Sequence, residues 1–508
     1  AREICRILEQ ETEDMVLRHR GERGEPGERD DQLGAIVDVR REEAGRVLGL
    51  GALPSLPGVW SWFGQAAEQE GTQVLLEDQF DDQIERALVG TRVWFTDGHL
   101  LPYTGQERVH ASYNTQRRMP VPGQTNQVTC DEHGRIVCFE IQEGKGDLRS
   151  RILRVGEYGK ARTGQAPIQV FDREGHGAEF FSALVRANIP FATWEKYADQ
   201  QRLEAIAEDA FTHRFESNGK TYRLLEEAKP MVYTHHDDHG AEQEHPFVLR
   251  RLVLWNQSSH RRASGLCWDG ARGVDRETLA LAILHRWGAS ENTFKHLGER
   301  HPLHYHPGFA LSESHRQDID NPQRKALDAQ IKGIQAQLTR RYKQLSKAQQ
   351  VANADGKPRA NSKHQRLKQA IQKLETSQAQ LREQRQQLPK RINVGALQDY
   401  RSFKKIDNEG KRLFDFVTAS VWNVRRTLID WLGAYYAKDS DRVDLFYAIL
   451  HSHGWIKSDA RWVVVRLEPL QQPNRRYAQE QLCRKLSGLG ARIPGGKWLR
   501  IEVGDTPL

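Results

Sequence analysis

The most regular pattern in the chain lies near its middle. Apolar residues advance by three and four from Leu327 through Ile331, Ile334, Leu338, Tyr342 and Leu345. A polar break at Asn353–Asn361 follows, and the stepping resumes at Leu367, Ile371, Leu374, Leu381 and Leu388. That spacing lays one apolar stripe along a helix. Two such stripes joined by a Gly/Pro turn predict an antiparallel coiled-coil hairpin over 320–391, ended by Pro389.

A different rhythm occupies residues 91–210. Val93–Phe95, Gln124–Cys130, Arg135–Ile141, Ile168–Phe171 and Pro190–Thr193 are short apolar or β-favouring runs. Helical stretches at Gly146–Val155, Ala178–Ala187 and around Gln200–Asp209 separate the later ones. The order β-β-β-α-β-α-β predicts an α/β domain with a mixed sheet. Residues 211–268 break that order with strand-like Tyr222–Leu225, Met231–Thr234 and Phe247–Trp255, and predict a β-rich insertion. Helical periodicity returns over Arg276–Leu297, so the α/β domain is expected to close with residues 269–300. From 395 to 508, helices at Leu413–Tyr436, Asp444–His451 and Gln479–Ser487 mix with strands at Trp462–Leu467 and Trp498–Val503, a C-terminal α+β module. Residues 1–90 read as mostly helix and loop, with a helix over Ala1–Arg20, a charged Gly-rich loop over Arg20–Asp31 and a packed turn at Leu53–Phe63 leading to a short helix.

Composition narrows this picture. A length of 508 residues asks for several domains, and 38% hydrophobic with 28% charged residues fits a water-soluble chain. No run of eighteen apolar residues offers a membrane span. The first residue is Ala1, which leads one to expect further sequence upstream. The five cysteines, Cys5, Cys130, Cys138, Cys267 and Cys483, are scattered without a C-x-x-C pair, which argues against zinc fingers and disulfide frameworks and for a reducing cytoplasm. Net charge is +7, yet residues 321–391 hold 17 Lys and Arg against 4 Asp and Glu, leaving 58 against 64 in the rest. The basic excess is therefore local. It reads either as a polyanion-binding surface, with Arg340, Arg341 and Lys343 among its cations, or as a solvated helical face.

Chemistry enters through aspartates. Asp97 follows the run Val93–Phe95, Asp172 follows Ile168–Phe171, and 75 positions separate them. Either alone is an ordinary strand terminator. Neighbouring strands would bring the two together, and two close carboxylates repel unless a cation or proton lies between them. Mg²⁺ accepts such ligands, and a pair of ions about 3.5–4 Å apart suits phosphodiester chemistry. A third carboxylate is then wanted. Glu291 supplies it, with Lys295 one helical turn on and Arg286 five residues before.

The segments VWFTDGHLLPYTG, VFDREG and RWGASENTFK resemble the catalytic blocks of DDE transposases of bacterial insertion sequences. The resemblance covers about residues 90–300. It implies a ribonuclease H-like fold with a β-strand insert before the final glutamate, and a metal triad of Asp97, Asp172 and Glu291 holding two Mg²⁺ or Mn²⁺ ions. Arg286 and Lys295 would hold DNA phosphates. In that group a tyrosine usually stands three positions before the arginine, where this chain has Ile283. Three residues commonly separate arginine from glutamate there, against four here, and the group's lysine often lies at the position of Gly298. The implied activity is metal-dependent cleavage at transposon ends and strand transfer into target DNA, by a homodimer on the nucleoid. The alternatives are a ribonuclease H-like nuclease without strand transfer, or a non-catalytic DNA-binding derivative.

Further groups have site-like composition. Tyr103, Arg117 and Arg118 form an aromatic, basic stretch that reads as a DNA contact or plain surface. His235–His239 and His301–His306 have metal-ligand residue types but sit in polar loops, and His176 follows Asp172 as a helix-start residue.

Overall fold

The computed structural model describes residues 56–69, 71–114, 118–236, 242–270, 272–286, 303, 305–308, 310–397, 400–493 and 495–508. The helix expected over Ala1–Arg20, the loop over Arg20–Asp31, Arg117, Glu291 and Lys295 lie outside them. The chain divides into two units, one of residues 1–105, 110–310 and 406–508, the other of 106–109 and 311–405.

The first unit opens with helices α1 (Leu56–Glu68) and α2 (Thr72–Glu85). Strands β1 (Val93–Pro102), β2 (Ala111–Asn114), β3 (Met119–Asp131) and β4 (Ile136–Glu143) follow. Then come α3 (Leu148–Thr163), β5 (Ile168–Phe171), α4 (Ala178–Arg186), β6 (Phe191–Trp194) and α5 (Gln200–Ala205). Strands β7 (His213–Ser217), β8 (Lys220–His236), β9 (Glu242–Asn256) and β10 (Arg262–Trp268) precede α6 (Arg276–Arg286). One ten-stranded mixed sheet results, in the order β2-β3-β1-β5-β6-β10-β9-β8-β7, with β4 also on β3. The pairs β1–β5 and β5–β6 are parallel.

Alternation fixes what covers each face. Side chains of a strand point to opposite faces in turn. Val93, Phe95, Ile168 and Val170 pack with Leu279, Ala280 and Ile283 of α6. Phe171 points the other way, into a cluster with Ile152 of α3 and Phe180, Phe181 and Leu184 of α4. A strand covered on both faces needs an unbroken apolar run, which is why residues 93–96 are all buried. Helix α3 sits close on the sheet because its contact positions are glycines. A Cβ at Gly159 would come within 2.8 Å of the Trp94 ring, and one at Gly156 within 2.6 Å of Ile189.

Three expectations change. Strand β1 does not end at Asp97; it runs on to Pro102, because β3 keeps pairing with it through Pro102↔Gly123. Only its pairing with β5 stops, at Thr96↔Phe171. Residues 211–268 do not break the sheet but extend it, since β10 lies directly against β6. Finally, the two strand fragments expected at 222–234 are a single 17-residue strand, β8. Pro230 interrupts the sequence pattern yet sits in register opposite Val248, at a position β7 does not reach, so its missing N–H leaves no ladder bond unmade.

The second unit is built on a helical hairpin. β11 (Leu311–Glu313) and β12 (Asp318–Asp320) lead into α7 (Pro322–Ser346), and α8 (Lys363–Gln387) returns to β13 (Arg391–Asn393) and β14 (Lys404–Ile406). β11 pairs with β14 and β12 with β13. Asn321 caps α7 by accepting from Gln323 and Arg324 N–H, with Pro322 in the first turn, where a proline costs no hydrogen bond. Leu338, Leu367 and Ile371 are buried in the seam. There the Gln378 amide donates to the Gln335 amide at 2.8 Å, a polar pair that fixes register at an otherwise apolar position.

The chain then returns to the first unit with α9 (Glu409–Leu432), α10 (Arg442–Leu450), strands β15 (Gly454–Ser458) and β16 (Trp462–Leu467), α11 (Pro473–Gly488) and β17 (Trp498–Val503). Strands β15, β16 and β17 form a separate sheet. Helix α9 belongs with the large sheet instead. Its Asn423 side chain accepts from Ile136 N–H at 2.7 Å and donates to the Ile136 carbonyl at 2.8 Å.

Candidate active site

Parity places the two aspartates together. Asp97 shares the face of Val93 and Phe95, and Asp172 continues the side of Ile168 and Val170, so both face α6. Parallel neighbouring strands lie about 4.8 Å apart. Asp97 is the residue after the last β1–β5 pair, and Asp172 is its counterpart after β5.

Arg286, the last residue of α6, joins them. Its guanidinium lies 3.5 Å from Asp97 Oδ2 and 3.5 Å from Asp172 Oδ1. The Arg286 side chain is 9% exposed, against 24% for Asp97 and 45% for Asp172. A buried cation thus backs two carboxylates that open to solvent. Asp97 Oδ1 also accepts from Gly98 N–H at 2.8 Å. Helix α6 is aimed there by its stripe of Leu279, Ala280 and Ile283 and by its start, where the Asp275 carboxylate accepts from the Thr278 hydroxyl at 2.5 Å and from Thr278 N–H at 2.8 Å and is held below its ordinary value by those bonds. Ile283 is 1% exposed, so the position usually tyrosine in the resembled group is core here.

The sequence reading overlooked another carboxylate at this edge of the sheet. Glu195 follows β6, the next parallel strand. By register it lies with Phe171 and Thr193, on the face opposite Asp97 and Asp172. Its charge is already met: Arg251 Nε donates to Oε2 at 2.7 Å and Ser264 Oγ to the same oxygen at 2.6 Å, these three residues are buried, and the Lys229 ammonium lies 3.8 Å from Oε1. Glu195 is therefore a closed structural charge. Its position after an apolar strand was the available signal, but that signal does not tell the two faces apart.

The remaining candidates separate clearly. Tyr103 is buried rather than presented to a ligand. Arg118 is exposed at a turn with φ 52°. His176 packs edge-on against Phe181 and Tyr197, and burial lowers its pKa. His235 stacks on Tyr233 and His245. His306 meets Asn408 Oδ1 at 3.2 Å. Arg340, Arg341 and Lys343 are all exposed on α7. The described cysteines 130, 138, 267 and 483 are free and buried.

Asp97 and Asp172 suit a hard divalent cation. They are oxygen donors on one face, partly solvated, and already held about a positive group. Among the described residues, no group of three or more His, Cys, Asp and Glu side chains is gathered about one point. Also among them, no helix is long and apolar enough to cross a membrane.

A search of curated proteins finds no match. A family model described as Transposase protein matches residues 155–503, which include Asp172, Arg286, the helical hairpin and most of the C-terminal part. The match spans well over half of the chain, so the protein belongs to this transposase family and is a DNA-processing enzyme.

Proposed function

We propose that the protein is a DDE-type transposase that cuts the ends of a mobile DNA and joins them to target DNA. The carrying observation is the single guanidinium, Arg286, lying equally close to Asp97 and Asp172. Two carboxylates gathered on one cation are a place where positive charge belongs. The strand order β4-β3-β1-β5-β6, antiparallel through β4-β3-β1 and parallel through β1-β5-β6, supports a ribonuclease H-like domain. Glu291, the third acid that the resemblance implies, lies outside the described residues.

Asp97, Asp172 and Glu291 would hold two Mg²⁺ or Mn²⁺ ions. When bound, such ions activate a hydroxyl and stabilise the leaving oxygen at phosphorus. The protein's own part is to hold the acids on two neighbouring strands whose positions the core fixes. Arg286 neutralises them in the free enzyme and, with Lys295, engages the DNA phosphates once substrate arrives. The basic coiled-coil hairpin follows the DNA backbone or joins two protomers, one for each transposon end, on the bacterial nucleoid.

The test is a Mg²⁺- or Mn²⁺-dependent nicking assay on DNA carrying the mobile element's ends. Wild type should nick and then yield joined products, while Asp172→Asn should do neither. Nicking without joined products would reduce the protein to a nuclease. Equal nicking by Asp172→Asn would remove the site from the reaction.

A further inference from the structure

The hairpin's positive charge is denser toward its tip. Residues 339–368, its distal third or so, hold nine Lys and Arg against one acid, Asp355. The remainder of 321–391 holds eight against three. In the stem, part of the charge is committed: Lys325 pairs with Asp320 at 3.1 Å, Arg385 pairs with Asp328, and Arg324 donates to the carbonyls of Arg385 and Leu388, while Lys332, Lys373, Arg382 and Lys390 are exposed. At the tip, Arg340, Arg341, Lys343, Lys363 and Arg366 are exposed, and among the described residues none of the nine tip cations lies in an ion pair.

The tip is also built rather than loose. Asn353 N–H donates to the Lys357 carbonyl at 2.8 Å, and Arg359 N–H to the Val351 carbonyl at 2.8 Å, closing a small turn with Gly356 at φ +77°. Ser362 Oγ accepts from Gln365 N–H and caps α8. The first turn of α8 carries no acid, although acids are favoured there, and carries Lys363 and Arg366 near it instead. Clustered, unpaired like charges on an ordered scaffold raise the free energy of the unliganded protein, and a polyanion relieves that cost.

We propose that the tip, residues 339–368, grips the DNA phosphate backbone while the stem acts as a spacer. This rests on the transposase reading for its choice of DNA. The stem part of α7, residues 322–338, spans about 25 Å at about 1.5 Å per residue, and the whole 25-residue helix about 37 Å. The tip cations therefore lie about 25–37 Å from the hairpin's base, up to about one helical turn of B-DNA.

Two full-length variants of equal charge change test this. The tip variant combines Arg340→Gln, Arg341→Gln, Lys363→Gln and Arg366→Gln; the stem variant combines Lys332→Gln, Lys373→Gln, Arg382→Gln and Lys390→Gln. Binding to a 40-base-pair duplex is read by fluorescence anisotropy in EDTA from about 50 to 300 mM KCl. Each lost phosphate contact flattens the log–log salt slope by about 0.9. The tip variant should lose about three units of slope and at least tenfold affinity near 0.1 M salt. The stem variant should stay within one unit, and Lys at the two Arg positions 340 and 341 should retain wild-type slope. Equal losses in both variants, or none in the tip variant, would overturn the proposal while leaving metal-dependent nicking untouched. A wild type that binds no duplex would overturn it together with the transposase reading.

Discussion

Two arginines serve carboxylates at the same edge of the large sheet, and they do so differently. Arg251 lies 2.7 Å from Glu195, both nearly sealed from solvent, with Ser264 completing the carboxylate's hydrogen bonds. Arg286 stands 3.5 Å from each of two aspartates that remain open to solvent. The first arrangement is closed, since Glu195 is met by Arg251 and Lys229 and Arg251 also lies 3.6 Å from Glu227. The second is held open, with one cation 3.5 Å from each of two anions. A closed pair serves the fold; a buried cation shared between two solvent-facing carboxylates leaves those carboxylates open to a second cation.

The largest expected effect breaks the open site. Asp97→Asn or Asp172→Asn should lower the nicking rate by about a thousandfold or more, the order of several kcal/mol that metal-held charge contributes. Thermal stability should hold or rise slightly, because a carboxylate that repels its neighbour is gone. A variant that loses both activity and several degrees of melting temperature would make the open site a structural one.

Breaking the closed pair should reverse that outcome. Arg251→Met leaves Glu195 buried with only the more distant Lys229 at 3.8 Å, and removing the close partner of a buried pair costs about 3–5 kcal/mol. Denaturant unfolding should show the loss. Nicking per folded molecule should be retained. A normal midpoint with abolished nicking would move Glu195 into the reaction.

The comparison sharpens further at Arg286. If its guanidinium occupies a place that divalent ions take, Arg286→Met should raise their affinity by about tenfold, near 1.4 kcal/mol. The readout is the rise in melting temperature between EDTA and millimolar Mn²⁺, which grows with affinity through mass action. It needs no substrate. Unchanged or weaker metal stabilisation in the variant would show that Arg286 supports the ions rather than standing in for them.

Much of this contrast was within reach of the sequence, and the missing part has a physical cause. Ile168–Phe171, Trp462–Leu467 and Trp498–Val503 were found as strands because each is a short apolar run bounded by polar residues. The hairpin's two stripes carried α7 and α8 for the same local reason. What failed was everything decided by a distant partner. Strand β1 continues past Asp97 because β3 lies beside it, and β8 crosses Pro230 because no strand lies along its other edge there. Helix α9 was assigned to the C-terminal module, yet Asn423 binds Ile136, 287 residues away. Asp97 and Asp172 could be paired from the sequence by strand order. Their separation from Glu195 needed register, which decides the face and is not written in any one segment.

The smallest effect tests whether the closed type of pairing also supports the open site from behind. Lys411 and Asp415 of α9 are buried and ion-paired, Asn126 of β3 donates to Asp415 at 3.2 Å, and Lys411 donates to the Leu303 carbonyl at 2.7 Å. Asn126 is in register with His99, two residues beyond Asp97. Burial pushes the Asp415 carboxyl up to about 6 from 3.8, against the pull of Lys411 and Asn126. The folded state therefore holds this proton at a pH where the unfolded chain has released it. The group's share of stability is full below about pH 4 and is lost as pH rises through about 6. Carboxylates whose pKa is lowered, such as Asp81 and Asp275, act in the opposite direction, so the net slope of wild type is blunted. The difference between Asp415→Asn and wild type isolates the term. Unfolding midpoints measured from pH 4 to pH 7 should show the variant gaining relative to wild type as pH rises. A difference that stays flat across that range would mean that Asp415 is ionised throughout, its charge fully met by Lys411, and that this closed pair is as complete as Glu195 with Arg251.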